Sequence, residues 1–280
     1  MKRSNKRIIP GFGLSMGVTV TLLSVIVLIP LASLVIFTAQ LSFGDIIAVI
    51  TRDRVLASFK VSFLTAFVAS LINAVMGVIL AWVLVRYDFP FKRILDGMIE
   101  LPFALPTAVA GIALTSLTAD KGIIGSFFAR FGIKIAYTRA GITVALVFIG
   151  IPFVVRAVQP VLEKLDSSLE EAASTLGASR SRTFRQVIFP EIMPAVFTGF
   201  GLAFGRCLGE YGSVVFIAGN QPFETEITPL IIMSELQEYD YASATAIALV
   251  MLAASFLILF LVNLIQVRNS KILRGGGKGA

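Results

Sequence analysis

In a chain of 280 residues, 56% are apolar and only 15% charged, where a soluble domain carries about 25% charged residues. The charges cluster between long uncharged runs and the mean hydropathy is +0.88, which excludes a soluble globular fold and describes a chain that crosses a membrane several times. With no histidine and a single cysteine, Cys207, the chain cannot build Ser-His or Cys-His nucleophile pairs, zinc-histidine sites, histidine proton relays or an intrachain disulfide. No G-x-x-x-x-G-K-[ST] string occurs. The nearest, GGGKG at Gly275–Gly279, lacks the spacing and the hydroxyl residue, so the chain does not bind ATP through a P-loop.

A helix needs about 20 apolar residues to cross about 30 Å of hydrocarbon. The first uncharged run, Ile8 to Gly44, predicts a helix near Leu14–Thr38. Lys2, Arg3, Lys6 and Arg7 precede it as they would a signal peptide, but the run is too long for an h-region and no small-residue cleavage site follows, so the helix is expected to be retained. Residues 1–60 are therefore read as tail, first helix and outer linker. Further spans are expected at about 61–85 (between Lys60 and Arg86), 101–119 (with Pro102 and Pro106), 140–160, 192–218 (interrupted by Arg206 and Glu210) and 242–267, with residues 268–280 as a polar tail. The fold class is all-α: a polytopic membrane protein of six transmembrane helices with both termini on one side.

Lysine and arginine number sixteen on the face that carries the termini and seven on the opposite face. The positive-inside bias places both termini in the cytoplasm and accounts for most of the net charge of +7 without a nucleic-acid partner. The last outer loop, Gly219–Tyr241, carries Glu224, Glu226, Glu235, Glu238 and Asp240 and no base. It reads either as a solvated loop or as a docking surface for another protein.

The cytoplasmic stretch before the fifth span, 161–191 with its approach from Arg156, reads as two short helices. Ser167-Ser168-Leu169-Glu170 has the form of a capping box with Ser167 as N-cap. Gly177 is placed to end that helix in the left-handed conformation. A second helix is expected from near Ser179 to just before Pro190. So small a unit must pack against the membrane helices or a partner.

Glu171-Ala172-Ala173, Gly177 three residues later and Pro190 at the end of VIFP match the E-A-A-x₃-G-x₉-I-x-L-P pattern, with Val187 and Phe189 in place of its Ile and Leu. On these residues the chain resembles ABC importer permeases. Along nearly its whole length, in segments such as ELPFALPTAVAG, FGRCLGEYGSVVFIAGN and LQEYDYASATAIALV, it is similar to the sulfate/thiosulfate branch; molybdate permeases share the loop and the G-E-[FY]-G string. The resemblance implies a type I ABC importer permease fold in a bacterial inner membrane, with Glu171, Ala172, Ala173, Gly177 and Pro190 coupling to an ATPase. It implies as partners an ABC ATPase dimer, a second related permease, a sulfate/thiosulfate-binding protein and membrane lipid. No cofactor is expected on this chain; ATP-Mg belongs to the partner ATPase. A molybdate/tungstate permease and a gradient-driven secondary anion transporter are the alternatives. A membrane-embedded enzyme is disfavoured, since no histidine and no convergent polar cluster are present.

In the fifth span Gly201, Gly205 and Gly209 recur every four residues, and Ala195, Gly199, Ala203 and Cys207 form a second small row; both are expected to pack closely. Arg206 and Glu210, at i and i+4, can share a helix face. They form either a self-neutralising structural pair or, through Arg206, an anion contact on the pathway, and the pair is favoured. Pro102 and Pro106 in LPFALP are read as a kink, static or pore-side.

Overall fold

The computed structural model describes the backbone of residues 12–275 and the side chains through Leu264. Lys2 to Arg7, which contribute to the charge bias, and the tail beyond Gly275 lie outside the described residues. All regular structure among the described residues is helical. Helix α1 spans Phe12–Thr38. It is followed by α2 (Phe43–Ile50), α3 (Asp53–Arg86), α4 (Lys92–Ile99), α5 (Leu101–Ala104), α6 (Thr107–Thr118), α7 (Ile123–Ala129), α8 (Arg139–Glu163) and α9 (Ser167–Thr175). Helix α10 runs Arg180–Leu208, and α11 (Val214–Ile217), α12 (Thr228–Gln237) and α13 (Tyr241–Gly275) complete the chain. Helices α1, α3, α8, α10 and α13 are long and apolar enough to cross a membrane; α6 and α7, bent by 41° to one another, meet the same test only as a pair, as a broken span or a re-entrant loop.

The expected boundaries shift for local reasons. Helix α3 begins at Asp53 and carries Lys60 within it, and α13 continues past 267 to Gly275. The span expected at 101–119 is divided. Pro102 lies in the first turn of α5, and Pro106 is the N-cap of α6, its carbonyl accepting from the amides of Val109 (2.9 Å) and Ala110 (3.2 Å). Proline lacks an amide hydrogen and is tolerated where a helix starts, so LPFALP forms two helix starts rather than a kink in one helix. The span expected at 192–218 stops at Leu208, where Gly209 caps α10 and the chain turns into α11.

The loop helix expected to stop before Pro190 instead runs unbroken into the membrane. A π turn, Phe184–Ile188, precedes the proline, and the amide of Phe189 bonds the carbonyl of Phe184, five residues back. A proline ring clashes with the carbonyl four residues back; the wider turn relieves that clash. The same device recurs in α1, where a π turn at Ser24–Leu28 stands two residues before Pro30.

Helices α3, α8 and α10 form the core. A Cβ on Gly77 of α3 would fall 2.6 Å from Val154 Cγ1, and one on Gly199 of α10 would fall 2.7 Å from Val154 Cα, so both helices close on α8 through glycine. Close packing of α10 therefore belongs to the Ala195–Gly199–Ala203–Cys207 row. The Gly201–Gly205–Gly209 row is open: a Cβ on Gly201 would meet only Leu259 and Val262 at 3.8 Å, and one on Gly209 would meet nothing within 4 Å. Helix α12 is tied to α3 by Ser62, whose Oγ accepts from the amide of Thr228 (2.8 Å) at the start of α12. This supplies a partner to one of the donors that a helix start leaves free. Helix α1 lies against α13, and α11 is packed between α6 and α8.

Candidate functional site

The loop that carries the E-A-A residues is built from caps and one latch. Its N-cap is Asp166 and not Ser167: Asp166 Oδ1 accepts from the amide of Ser168 at 2.9 Å. That bond, reinforced by the Ser168 hydroxyl, holds the Asp166 carboxyl below its ordinary value. Glu170 makes no reciprocal cap. It pairs with Arg86 at the end of α3, because a guanidinium is a stronger partner for a carboxylate than one backbone amide. Arg86 also lies over the Trp82 ring, 5.4 Å from its centroid. This latch joins residues 84 positions apart and is not legible in local spacing.

The other end of α9 follows the expected pattern. Gly177 has φ +78°, its amide bonds the Ser174 carbonyl at 2.9 Å, and the Ala178 amide bonds the Ala173 carbonyl at 3.0 Å. This is a Schellman closure. Glu171 and Ala172 are exposed and Ala173 is half-buried. Leu169 and Leu176, the latter 88% exposed, flank Ala172 on the same helix face and leave an exposed apolar strip. Leu176 is an apolar residue directly before the C′ glycine of a polar helix, a signal readable in the sequence. Ser179 then caps α10 through the amide of Arg182 (3.4 Å), and Phe184 sets its ring edge-on to Trp82 at 5.4 Å. Pro190 lies one residue inside the α-helical stretch after the π turn.

At the far end of α10 the structure joins Arg206 to Glu210. Arg206 Nη1 lies 2.5 Å from Glu210 Oε2, while Glu210 Oε1 accepts from the amide (2.8 Å) and hydroxyl (2.9 Å) of Ser213. Glu210 is 2% exposed and Ser213 fully buried. The pair is not a helix-face pair, since α10 has ended at Leu208: the arginine in its last turn reaches past the helix end, where a cation is favoured by the macrodipole. The guanidinium side of the pair keeps 35% of its side chain open to a groove of about 670 Å³ between α10 and α13, lined by Phe197, Thr198, Gly201, Gly205, Leu259 and Asn263. Gly201 and Gly205 of the open glycine row lie in the lining of this groove.

The acidic loop Gly219–Tyr241 is less free than its sequence suggests. Glu226 is held by Arg54 in a two-bond fork (2.8 and 2.6 Å), and Glu235 pairs with Arg52 at 3.3 Å. Burial raises the Glu235 carboxyl above its ordinary value. Asp240 accepts from the Ser243 amide at 3.0 Å, and hydrogen bonding to Ser243 holds its carboxyl low. Glu224 and Glu238 are left exposed. Arg156 lies inside α8, not in a loop, and clamps Asp96 (2.8 Å) and Glu100 (2.7 Å).

A polytopic helical core with a two-helix loop continuous with a long apolar helix is the architecture of type I ABC importer permeases. Two alginate ABC importers share this fold at 15% and 17% identity: one structure matches with a TM-score of 0.75 over 92% of this chain and 96% of the other, and a second, with a binding protein loaded with an alginate pentasaccharide, with 0.76 over 92% and 94%. Residues 73–271 match the family described as binding-protein-dependent transport system inner membrane component, and the chain belongs to that family. It is 51% identical, over 97% of its length and 98% of the relative's, to the sulfate transport system permease protein CysT of Salmonella typhimurium, and equally to that of Escherichia coli K12. The Synechocystis protein of the same name is 47% identical over 89% of this chain and 87% of its own. Such proteins are multi-pass inner-membrane permease subunits; ATP hydrolysis lies in a separate subunit.

Proposed function

We propose that this chain is one of two permease subunits of an ATP-driven importer that carries sulfate and thiosulfate from a binding protein into the cytoplasm. The observation that carries this reading is the 51% identity, over 97% of this chain, to a permease named for sulfate transport. Its partners are a CysA-like ATPase dimer that binds ATP-Mg, a CysW-like second permease and a sulfate/thiosulfate-binding protein, and both of its termini are cytoplasmic.

The geometry supports a lever. The ATPase grips the strip of Leu169, Ala172 and Leu176 with Glu171 beside it, and Gly177 holds the turn into α10. Helix α10, 29 residues and about 44 Å long, then carries motion from the loop to Arg206. Glu170 and Arg86 keep α9 registered on α3, so that the loop moves with the membrane helices and not independently. At the groove, a dianion meets a guanidinium whose charge Glu210 already balances. Binding there is weak, as throughput requires, while the open arginine face still lowers the cost of bringing an anion into a low-dielectric setting.

The test is uptake of radiolabelled sulfate by liposomes containing the full complex, driven by ATP and loaded binding protein, with thiosulfate and molybdate as competitors. Sulfate should accumulate and thiosulfate should compete. Accumulation of molybdate with no sulfate uptake would overturn the substrate reading.

A further inference from the structure

Five non-glycine residues among those described have positive φ, and three of them meet at one place on the outer face: Tyr137 (63°), Asn220 (51°) and Phe223 (66°). A bulky side chain in this region is a genuine outlier, and glycine would adopt the same turn without strain. The rings do not recover that cost by burial, for Tyr137 is 50% exposed and Phe223 55% exposed.

The surrounding bonds fasten the backbone that carries both rings. The Tyr137 amide donates to the carbonyl of Ile217 at 2.8 Å. Gly219 stands so close that a Cβ there would fall 2.9 Å from Tyr137 Cβ. Arg139 donates to the carbonyls of Glu224 (2.7 Å) and Phe223 (3.4 Å). Within the loop, the amides of Glu224, Thr225 and Glu226 all converge on the carbonyl of Gln221, and Arg54 anchors Glu226. The result is a fastened outer platform bearing two half-bare aromatic rings.

Its position argues against a lipid anchor. The platform caps α11, whose Val214 and Ile217 are fully buried, and α11 lies so close to α6 that a Cβ on Gly111 would fall 2.4 Å from the Ser213 carbonyl. The loop therefore emerges from the interior of the bundle beside the Glu210–Ser213 turn, with Asn220, Gln221 and Glu224 exposed around the rings. Aromatic anchors ringed by polar groups are the make-up of a protein-docking centre, and pre-fastening them reduces the ordering cost of association. Strain held at a surface that the fold does not need points to function.

We propose that Tyr137 and Phe223 are the anchors on which the exported anion-binding protein docks on this subunit. This rests on the family's dependence on a binding protein and not on which anion is carried. The complete transporter in lipid nanodiscs, titrated with its purified sulfate-loaded binding protein and followed by ATPase rate, tests it. A wild-type complex that responds to that protein keeps the substrate reading separate from this one.

Tyr137→Ala/Phe223→Ala should raise the half-stimulating concentration at least tenfold, with the unstimulated rate unchanged. Tyr137→Gly/Phe223→Gly, which relieves the backbone, should fold at least as well as wild type by thermal unfolding and show the same docking loss. Half-stimulation within twofold of wild type in the glycine variant would overturn the proposal. So would loss of membrane retention with unaltered half-stimulation, which would make the rings lipid anchors.

Discussion

Removing Arg206 isolates the energetics of the intramembrane pair. Glu210, 2% exposed, accepts three bonds, one from Arg206 and two from Ser213. Arg206→Ala leaves that carboxylate buried with only the two serine donors, and breaking a buried pair from one side costs about 3–5 kcal/mol. Glu210→Ala is milder for the charge, because the stranded guanidinium can turn into the groove it already faces, but it deprives the buried Ser213 amide and hydroxyl of their acceptor, at about 1–3 kcal/mol. The double variant removes both charges, and its loss should fall short of the sum of the singles by at least about 1 kcal/mol, within the range seen for coupled neighbours. Thermal unfolding of the purified complex, with the fraction recovered in folded form as a second readout, measures the cycle. Strictly additive losses would refute the structural pair. So would singles that fold normally while Arg206→Ala alone abolishes transport, which would make the arginine an anion contact independent of Glu210.

Gly177→Ala imposes left-handed backbone on a residue with a Cβ, at about 1–2 kcal/mol, with no steric neighbour to add to it; together with Glu171→Arg it should leave the protein in the membrane but weaken ATPase co-purification and uptake, and normal uptake in both would end the coupling role. Gly199→Ala drives a methyl into the α8 backbone and should lower thermal stability by about 1–3 kcal/mol, whereas Gly201→Ala, facing the open groove, should be tolerated; equal effects in unfolding assays would contradict the assignment of the two rows. In a Cys207→Ser background, cysteines in Gly219–Tyr241 should react with an impermeant thiol reagent from outside and cysteines in Ser167–Arg182 only from inside, and the reverse labelling would overturn the orientation. The Asp240 carboxyl is held below its ordinary value of 3.8 by hydrogen bonds to Ser243, so its contribution is complete above that value and is lost as pH falls through the lower folded-state value. Protection factors at the first turn of α13, which remove the intrinsic pH dependence of exchange, should therefore fall in acid in the wild type, while in Asp240→Ala they should be low and independent of pH; a wild type equally flat would exclude the cap.

What the sequence determined by itself is whatever depends on neighbours along the chain. Uncharged runs locate the long helices because each membrane-spanning segment must satisfy its own backbone. Gly177 and Ser179 mark a helix end and a helix start because capping is set within a few residues, and the E-A-A spacing with Gly177 and Pro190 identifies the loop. Even so, local patterns with two admissible answers went the other way. Pro102 and Pro106 begin helices instead of kinking one, Pro190 is absorbed by a π turn instead of ending a helix, and Ser167 yields the N-cap to Asp166 because Glu170 has a better partner in Arg86. Only tertiary structure could decide those contests, along with which glycine row meets a neighbour and which outer acids are neutralised. Arg54 and Glu226 are separated by 172 residues, and the two carbonyls Arg139 holds lie 84 and 85 residues away. No periodicity encodes such meetings. They arise because α3, α8 and α10 close on one another through Gly77, Val154 and Gly199, and that packing brings distant charges within reach at the two ends of the bundle.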